Sequence, residues 1–206
     1  MKYYLEDGKK HSLDTDELHF NPTPSDCGRY MAVTLYHREG ESSISLLDGD
    51  TGEELFHHHA PDSIQIVETA WTKGNIYATG ISDNGYGIYK LGVCAEKGIT
   101  SDWENILAPQ PVMVKNFGAN EDYLMFTCDR TGVNELYHFY PSDGRLVQKT
   151  STRYGASEFS YSEDGKYLYY TSQTLKGMKI FRTPTGSLED IPVAFSDTYL
   201  CPIAEK

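Results

Sequence analysis

A pattern that recurs four times along the 206 residues limits this chain more than any other feature. Each copy reads as an apolar strand, a tight turn and an aromatic-rich strand: HFNPTPSDCGRYMAVTLY, IVETAWTKGNIYATGIS, VKNFGANEDYLMFTCD and SEFSYSEDGKYLYYTS. Aligning the second strands places Tyr30, Ile76, Tyr123 and Tyr167 in register, at intervals of 46, 47 and 44 residues. Gly-containing turns follow (REGE, SDNGYG, DRTGVN, LKGM), and in the third strands Ile44, Ile88, Leu136 and Ile180 repeat at 44, 48 and 44. A fourth strand closes each unit, as in EELFHHH and RLVQKTS. Four strands in about 45 residues is the signature of a β-propeller blade. The expectation is an all-β chain, a β-propeller of about four blades of four antiparallel strands.

The blades are expected over 16–60, 62–110, 111–152 and 154–194, within a single propeller domain or propeller fragment covering 1–206. Residues 1–15 and 195–206 then form parts of an incomplete blade. KYYLEDGKKHSL reads as a third and fourth strand joined by the Asp7-Gly8 turn, and TYLCPIAEK as the beginning of a first strand. Asp-Gly and Asn-Gly supply residues that tolerate the positive φ of two-residue hairpins. The segment LGVCAEKGITSDWENIL reads as a long loop. Unclosed sheet faces and edges promote association, so the chain is expected to join a larger ring or to self-associate. Met1 is expected to head an internal fragment of a longer protein.

Composition agrees and excludes some classes. Sixteen Tyr against 2 Trp and 5 Met lean towards pleated, half-buried surfaces. A net charge of −12 with no basic block repels a phosphate backbone, which argues against nucleic acid as a partner. No apolar run approaches the roughly 18 residues that span a bilayer, and the N-terminus lacks the apolar stretch of a secretory signal. Cys27, Cys94, Cys128 and Cys201 stand 67, 34 and 73 residues apart without a CxxC pair. That spacing gives no zinc or thioredoxin signature. The even count permits two disulfides that the sequence cannot pair; the expectation is that most are free and buried.

Chemistry-bearing motifs are sparse. The sequence contains no GxSxG elbow, HExxH pair, Walker A loop or GxGxxG fingerprint, so no catalytic residue and no cofactor is assigned. In the run His57-His58-His59, an extended strand puts His57 and His59 on one face, and two imidazoles can begin a metal site. No third ligand can be named from the sequence, and a polar outer strand facing solvent is the simpler reading. Asp48-Gly49-Asp50-Thr51-Gly52 lacks the distal Glu of a calcium loop and is explained as a hairpin turn. Trp103, in the long loop, is expected to be exposed and is a candidate binding contact, whereas most tyrosines fall on inner-strand positions.

The last two repeats resemble a known family. FSYSEDGKYLYYTSQTLKGMKIFRTPTG resembles the PD40 (WD40-like) repeat of TolB-like propellers, with Ser162, Glu163, Asp164 and Gly165 on its Ser-Pro-Asp-Gly turn and Glu in place of Pro. DRTGVNELYHF is similar to the family's Asp-Arg-x-Gly turn leading into an Ile-Tyr strand. The first two repeats keep the spacing, but DCGR and TKGN stand where Pro-Asp-Gly is expected. The resemblance implies that Arg130 supports its hairpin, with a grip on a peptide carboxylate as the functional reading. It also implies a periplasmic or cell-surface location and a non-catalytic module that binds protein or peptide, or gates a neighbouring domain. Similar repeats occur in prolyl-oligopeptidase and dipeptidyl-peptidase relatives. The alternative is therefore the propeller of a peptidase whose catalytic domain lies outside this chain. A further alternative is a metal-dependent propeller lyase drawing on His19, His37, His57, His59 and His138.

Overall fold

The computed structural model describes residues 2–3, 8, 10–11, 18–37, 40–94 and 98–193. Among them every regular element is a strand, apart from one 3-10 turn at Thr185–Ser187. A short antiparallel hairpin of β1 (Lys2–Tyr3) and β2 (Lys10–His11) precedes the first sheet. That sheet is β3 (Phe20–Pro24), β4 (Tyr30–Tyr36), β5 (Ser42–Asp48) and β6 (Glu54–His59), side by side in chain order. The second holds β7 (Gln65–Thr72), β8 (Asn75–Ser82), β9 (Gly85–Cys94) and β10 (Gly98–Ile99), with β11 (Glu104–Gln110) also on β9. The third runs through β12 (Val114–Ala119), β13 (Leu124–Cys128), β14 (Glu135–Tyr140) and β15 (Arg145–Gln148). The fourth is β16 (Ser157–Tyr161), β17 (Tyr167–Thr174) and β18 (Gly177–Pro184), and a last strand, β19 (Ile191–Pro192), lies on β15. Four antiparallel sheets in succession, built from neighbours in the chain apart from β19, are the blades of a β-propeller.

Two expectations change. The segment expected as a long loop after β9 carries two strands, because Thr100 N donates to Gly92 O and Gly92 N to Ser101 Oγ, both at 2.8 Å, and fold the chain back. A fourth strand was expected in every blade, yet the fourth sheet has three among the described residues. The chain after it is drawn to β15 instead: Lys149 and Arg145 pair with Asp190, and Val193 N donates to Leu146 O at 3.1 Å. Residues 195–206, Cys201 and Asp7 of the expected Asp7-Gly8 turn lie outside the described residues.

The turn between the first two strands is the same in the first and fourth sheets. Ser25 N donates to Tyr30 O, Gly28 N to Ser25 O, and Tyr30 N to Ser25 Oγ at 3.1 Å. Ser162, Gly165 and Tyr167 repeat all three bonds, the last at 3.0 Å. Both glycines sit at positive φ, 69° and 67°, where a Cβ is disfavoured. The hydroxyl acts as a local acceptor for a backbone N–H that the ladder leaves over.

Contacts group the chain into two units, 1–78 with 90–104, and 79–89 with 105–206. In the first, Tyr30, Ala32, Ile44 and Leu46 pack with Ile66, Ile76, Ala78, Leu91 and Val93. The opposite face of the first sheet buries Val33, Leu35 and Leu47. Thr23 Oγ1 and Thr69 Oγ1 join β3 to β7 at 2.6 Å. In the second unit Leu124, Phe126, Leu136, Tyr137, Phe139, Leu146 and Leu168 are buried. No described helix is long and apolar enough to cross a membrane.

Candidate functional site

The first sheet gathers three imidazoles on one face. Pairing sets Ser43 opposite His59 and Ser45 opposite His57 across β5 and β6, and Leu35 opposite Ser43 across β4 and β5. His37, two residues beyond Leu35, follows the same pleat onto the same side. Their ring centroids lie 5.1 Å (His57–His59), 6.1 Å (His37–His59) and 6.4 Å (His37–His57) apart. One ligand nitrogen from each falls within 4.8 Å of the others. The third ligand that the sequence could not name is therefore His37. It opens the β4–β5 turn, where its N–H donates to Glu41 O at 2.9 Å and its carbonyl accepts from Gly40 N.

Small buried residues make room for these rings and orient them. Ser43 and Ser45 are fully buried on the strand between. Ser43 Oγ meets His37 Nε2 at 2.9 Å, and Ser45 Oγ meets His57 Nδ1 at 3.1 Å. Ser45 also donates to Glu54 Oε2, which lies 3.6 Å from the same nitrogen. His59 borders a cleft of about 370 Å³ lined also by Glu41, Ser42, Pro61 and Asp62.

His58 points the other way, as the strand period requires. Its Nε2 lies 3.2 Å from Asp102 Oδ1, and Trp103 Nε1 donates to His59 O at 2.8 Å. Trp103 is half-buried against the core of the first unit, not exposed as expected, because the chain after β9 straps back over β6. The strap comes so close that a Cβ on Gly98, at φ +74°, would lie 2.3 Å from the Phe56 ring.

The other candidates are structural in their surroundings. Arg130 is buried, 8% exposed, beside Phe126, Cys128 and Tyr137. Its neighbour Asp129 accepts from Gly132 N through the backbone and from Met113 N through Oδ1, both at 2.8 Å. His138 is buried, stacked on Tyr123 at 4.0 Å and bonded to the Tyr161 hydroxyl at 2.9 Å. Burial lowers its pKa to about 3, so it stays neutral. Buried Glu135 accepts from the hydroxyls of Thr150 and Thr152 and from Thr152 N, stapling β14 to the chain beyond β15. Asp48 accepts from Asp50 N and Thr51 N, which makes 48–52 a hairpin turn. Cys27, Cys94 and Cys128 are free; only Cys128 is buried, and desolvation pushes its thiol up to about 11.

Neither a protein-family model nor a curated protein sequence matches the chain. Solved structures do. TolB from Acinetobacter baumannii superposes with a TM-score of 0.67 at 14% identity, over 91% of this chain and 47% of its own. A puromycin-hydrolyzing peptidase of Mycobacterium tuberculosis gives 0.62 at 14%, over 87% and 30%. Prolyl oligopeptidase B from Galerina marginata gives 0.61 at 8%, over 85% and 27%. The fold is that of the TolB-like propellers. The chain spans less than two thirds of the length of each of these proteins.

Within this TolB-like fold one repeat position behaves differently in the last sheet. Ile44, Ile88 and Leu136 are at most 1% exposed, whereas Ile180 in the matching place is 77% exposed. Met178, two residues before it on the same face of β18, is 54% exposed. Tyr169, opposite Arg182 on that face, is also exposed. From Lys166 to Leu188 the chain carries Lys166, Lys176, Lys179 and Arg182 and no Asp or Glu, in a protein whose net charge is −12.

Proposed function

We propose that the chain works as a non-catalytic TolB-like propeller module that binds protein, and that the β18 face of the fourth sheet is its docking surface. The observation that carries this reading is Ile180: its repeat equivalents are buried, and it is open. A sheet that presents Ile180, Met178 and Tyr169 to water has lost roughly 1.5–3 kcal/mol per large side chain relative to a covered one. The occupant that fits is a second apolar sheet face with an acidic rim, matching the basic stretch around it. A second copy of this chain, whose net charge is −12, is the occupant this reading commits to. Head-to-tail contacts of this kind build rings or filaments rather than closed pairs.

The test is sedimentation velocity of the 206-residue chain across a concentration series, beside an Ile180→Lys variant. The wild type associates as concentration rises, and more weakly in high salt as the charged rim is screened. The variant stays monomeric with unchanged circular dichroism. A wild type that remains monomeric at every concentration overturns the reading.

A second reading rests on the peptidases among the structural neighbours. There the module gates the active site of a catalytic domain outside this chain, and the β18 face meets the rest of that protein. A periplasmic or cell-surface location goes with either reading and rests on the TolB-like resemblance. The metal-dependent lyase reading loses support, because His19 and His138 stand outside the His37–His57–His59 group among the described residues.

A further inference from the structure

We propose that His37, His57 and His59 form a binding site for a borderline divalent transition-metal ion such as Zn²⁺. Three imidazoles with no carboxylate among the ligand atoms select this class over Mg²⁺ or Ca²⁺, which prefer oxygen donors. A tetrahedral ion with metal–nitrogen bonds of about 2.0–2.1 Å holds its ligand atoms about 3.4 Å apart. One nitrogen from each ring already lies within 4.8 Å of the others. His59 is exposed, so rotation about its χ angles closes the remaining gap and leaves the ladder in place.

The surroundings are those of a built site. Metal-bound imidazoles characteristically engage their second nitrogen in a hydrogen bond that sets tautomer and ring direction. His57 does so through Nδ1 to Ser45, whose hydroxyl passes the bond on to Glu54. This leaves the lone pair of His57 on Nε2. His37 does so through Nε2 to Ser43, which leaves Nδ1. Both serines are fully buried on β5 and fixed in the ladder, so two of the three ligands are held from below. His58, in the middle of the run, faces the opposite side and is bound to Asp102, which separates the site from a simple histidine tract. Three protein ligands leave a fourth position open to water or to a group presented by a partner.

The test is calorimetric titration of the untagged 206-residue chain, stripped with chelator, with Zn²⁺ alone. One equivalent binds, with a dissociation constant of about 10 μM or tighter. His57→Gln and His59→Gln each weaken binding at least tenfold, and His37→Gln does the same independently. Glu54→Gln weakens it about tenfold through the Ser45 relay. His58→Gln leaves the affinity unchanged, and so does Cys27→Ser, which removes the exposed thiol. Absence of one-to-one binding in the wild type overturns the proposal. So does a His58→Gln loss equal to that of His59→Gln, since the ion would then read the run and not the face.

Discussion

His138 shows how a residue that looks like a ligand becomes part of a core. It lies 4% exposed between Tyr123 and Tyr161, and burial holds its pKa near 3, below the 6.5 of a free imidazole. The unfolded chain therefore takes up a proton near pH 6.5 that the folded chain refuses. The stability this residue contributes is complete above that pH and is lost as pH falls from about 6.5 towards 3, by about 3 kcal/mol at pH 4.5. Urea unfolding at pH 7 and 4.5 should show this slope, and His138→Gln should flatten it while keeping the bond to Tyr161. An equal slope in both proteins would mean that other groups carry the acid sensitivity. Glu135 makes a matching case: Glu135→Ala removes the acceptor of three donors from Thr150 and Thr152 and should cost about 3 kcal/mol in chemical denaturation. The pairing of His57 and His59 was legible because strand period alone decides it. His37 was not, since its place depends on the β4–β5 register and on two serines that look unremarkable in the sequence. Trp103 was misjudged for a similar reason, as its cover is a strap held by hydrogen bonds to Gly92 and His59 and by the close approach of Gly98 to Phe56.

At the scale of elements, strands declared themselves through period and turn chemistry, but the turns were more alike than their letters. DCGR and EDGK share little by composition, yet Ser25 and Ser162 build the same three hydrogen bonds. The readable signal is Ser-x-x-Gly-x-Tyr, with an acceptor hydroxyl, a left-handed glycine and the first residue of the next strand. Ser25→Ala leaves the buried Tyr30 N–H without its side-chain acceptor and should cost about 1–2 kcal/mol. A glycine of a different kind is Gly85, at φ +103°, where a Cβ would lie 1.9 Å from the Gln110 carbonyl oxygen. Gly85→Ala should cost about 3 kcal/mol or more, against about 1 kcal/mol for Gly28→Ala, which meets nothing within 4 Å. Thermal melts of the two variants test this ordering, and equal losses would refute the close approach. The strands after β9 and the transfer of Ile191–Pro192 to β15 escaped sequence reading because short-range hydrogen bonds and the Asp190 ion pairs decide them, and neither leaves a periodic trace.

For the whole molecule, the repeat that defines the fold also marks a sheet face that is open. A blade position that is buried three times and exposed once marks a surface by comparison within one chain, without reference to any relative. The sequence made Ile180 visible as the fourth member of its series, but its exposure depends on what covers the sheet, which no local pattern records. In the proposed docking Met178 and Ile180 meet another protein surface. Met178 offers the most direct measurement, since its thioether oxidises according to its access to peroxide. Its rate of oxidation can be followed by mass spectrometry in dilute and concentrated solutions, with Met113, 41% exposed in the third blade, as the internal reference. Concentration is expected to slow oxidation of Met178 severalfold and to leave Met113 unchanged. Equal rates for Met178 in dilute and concentrated protein would contradict the docking.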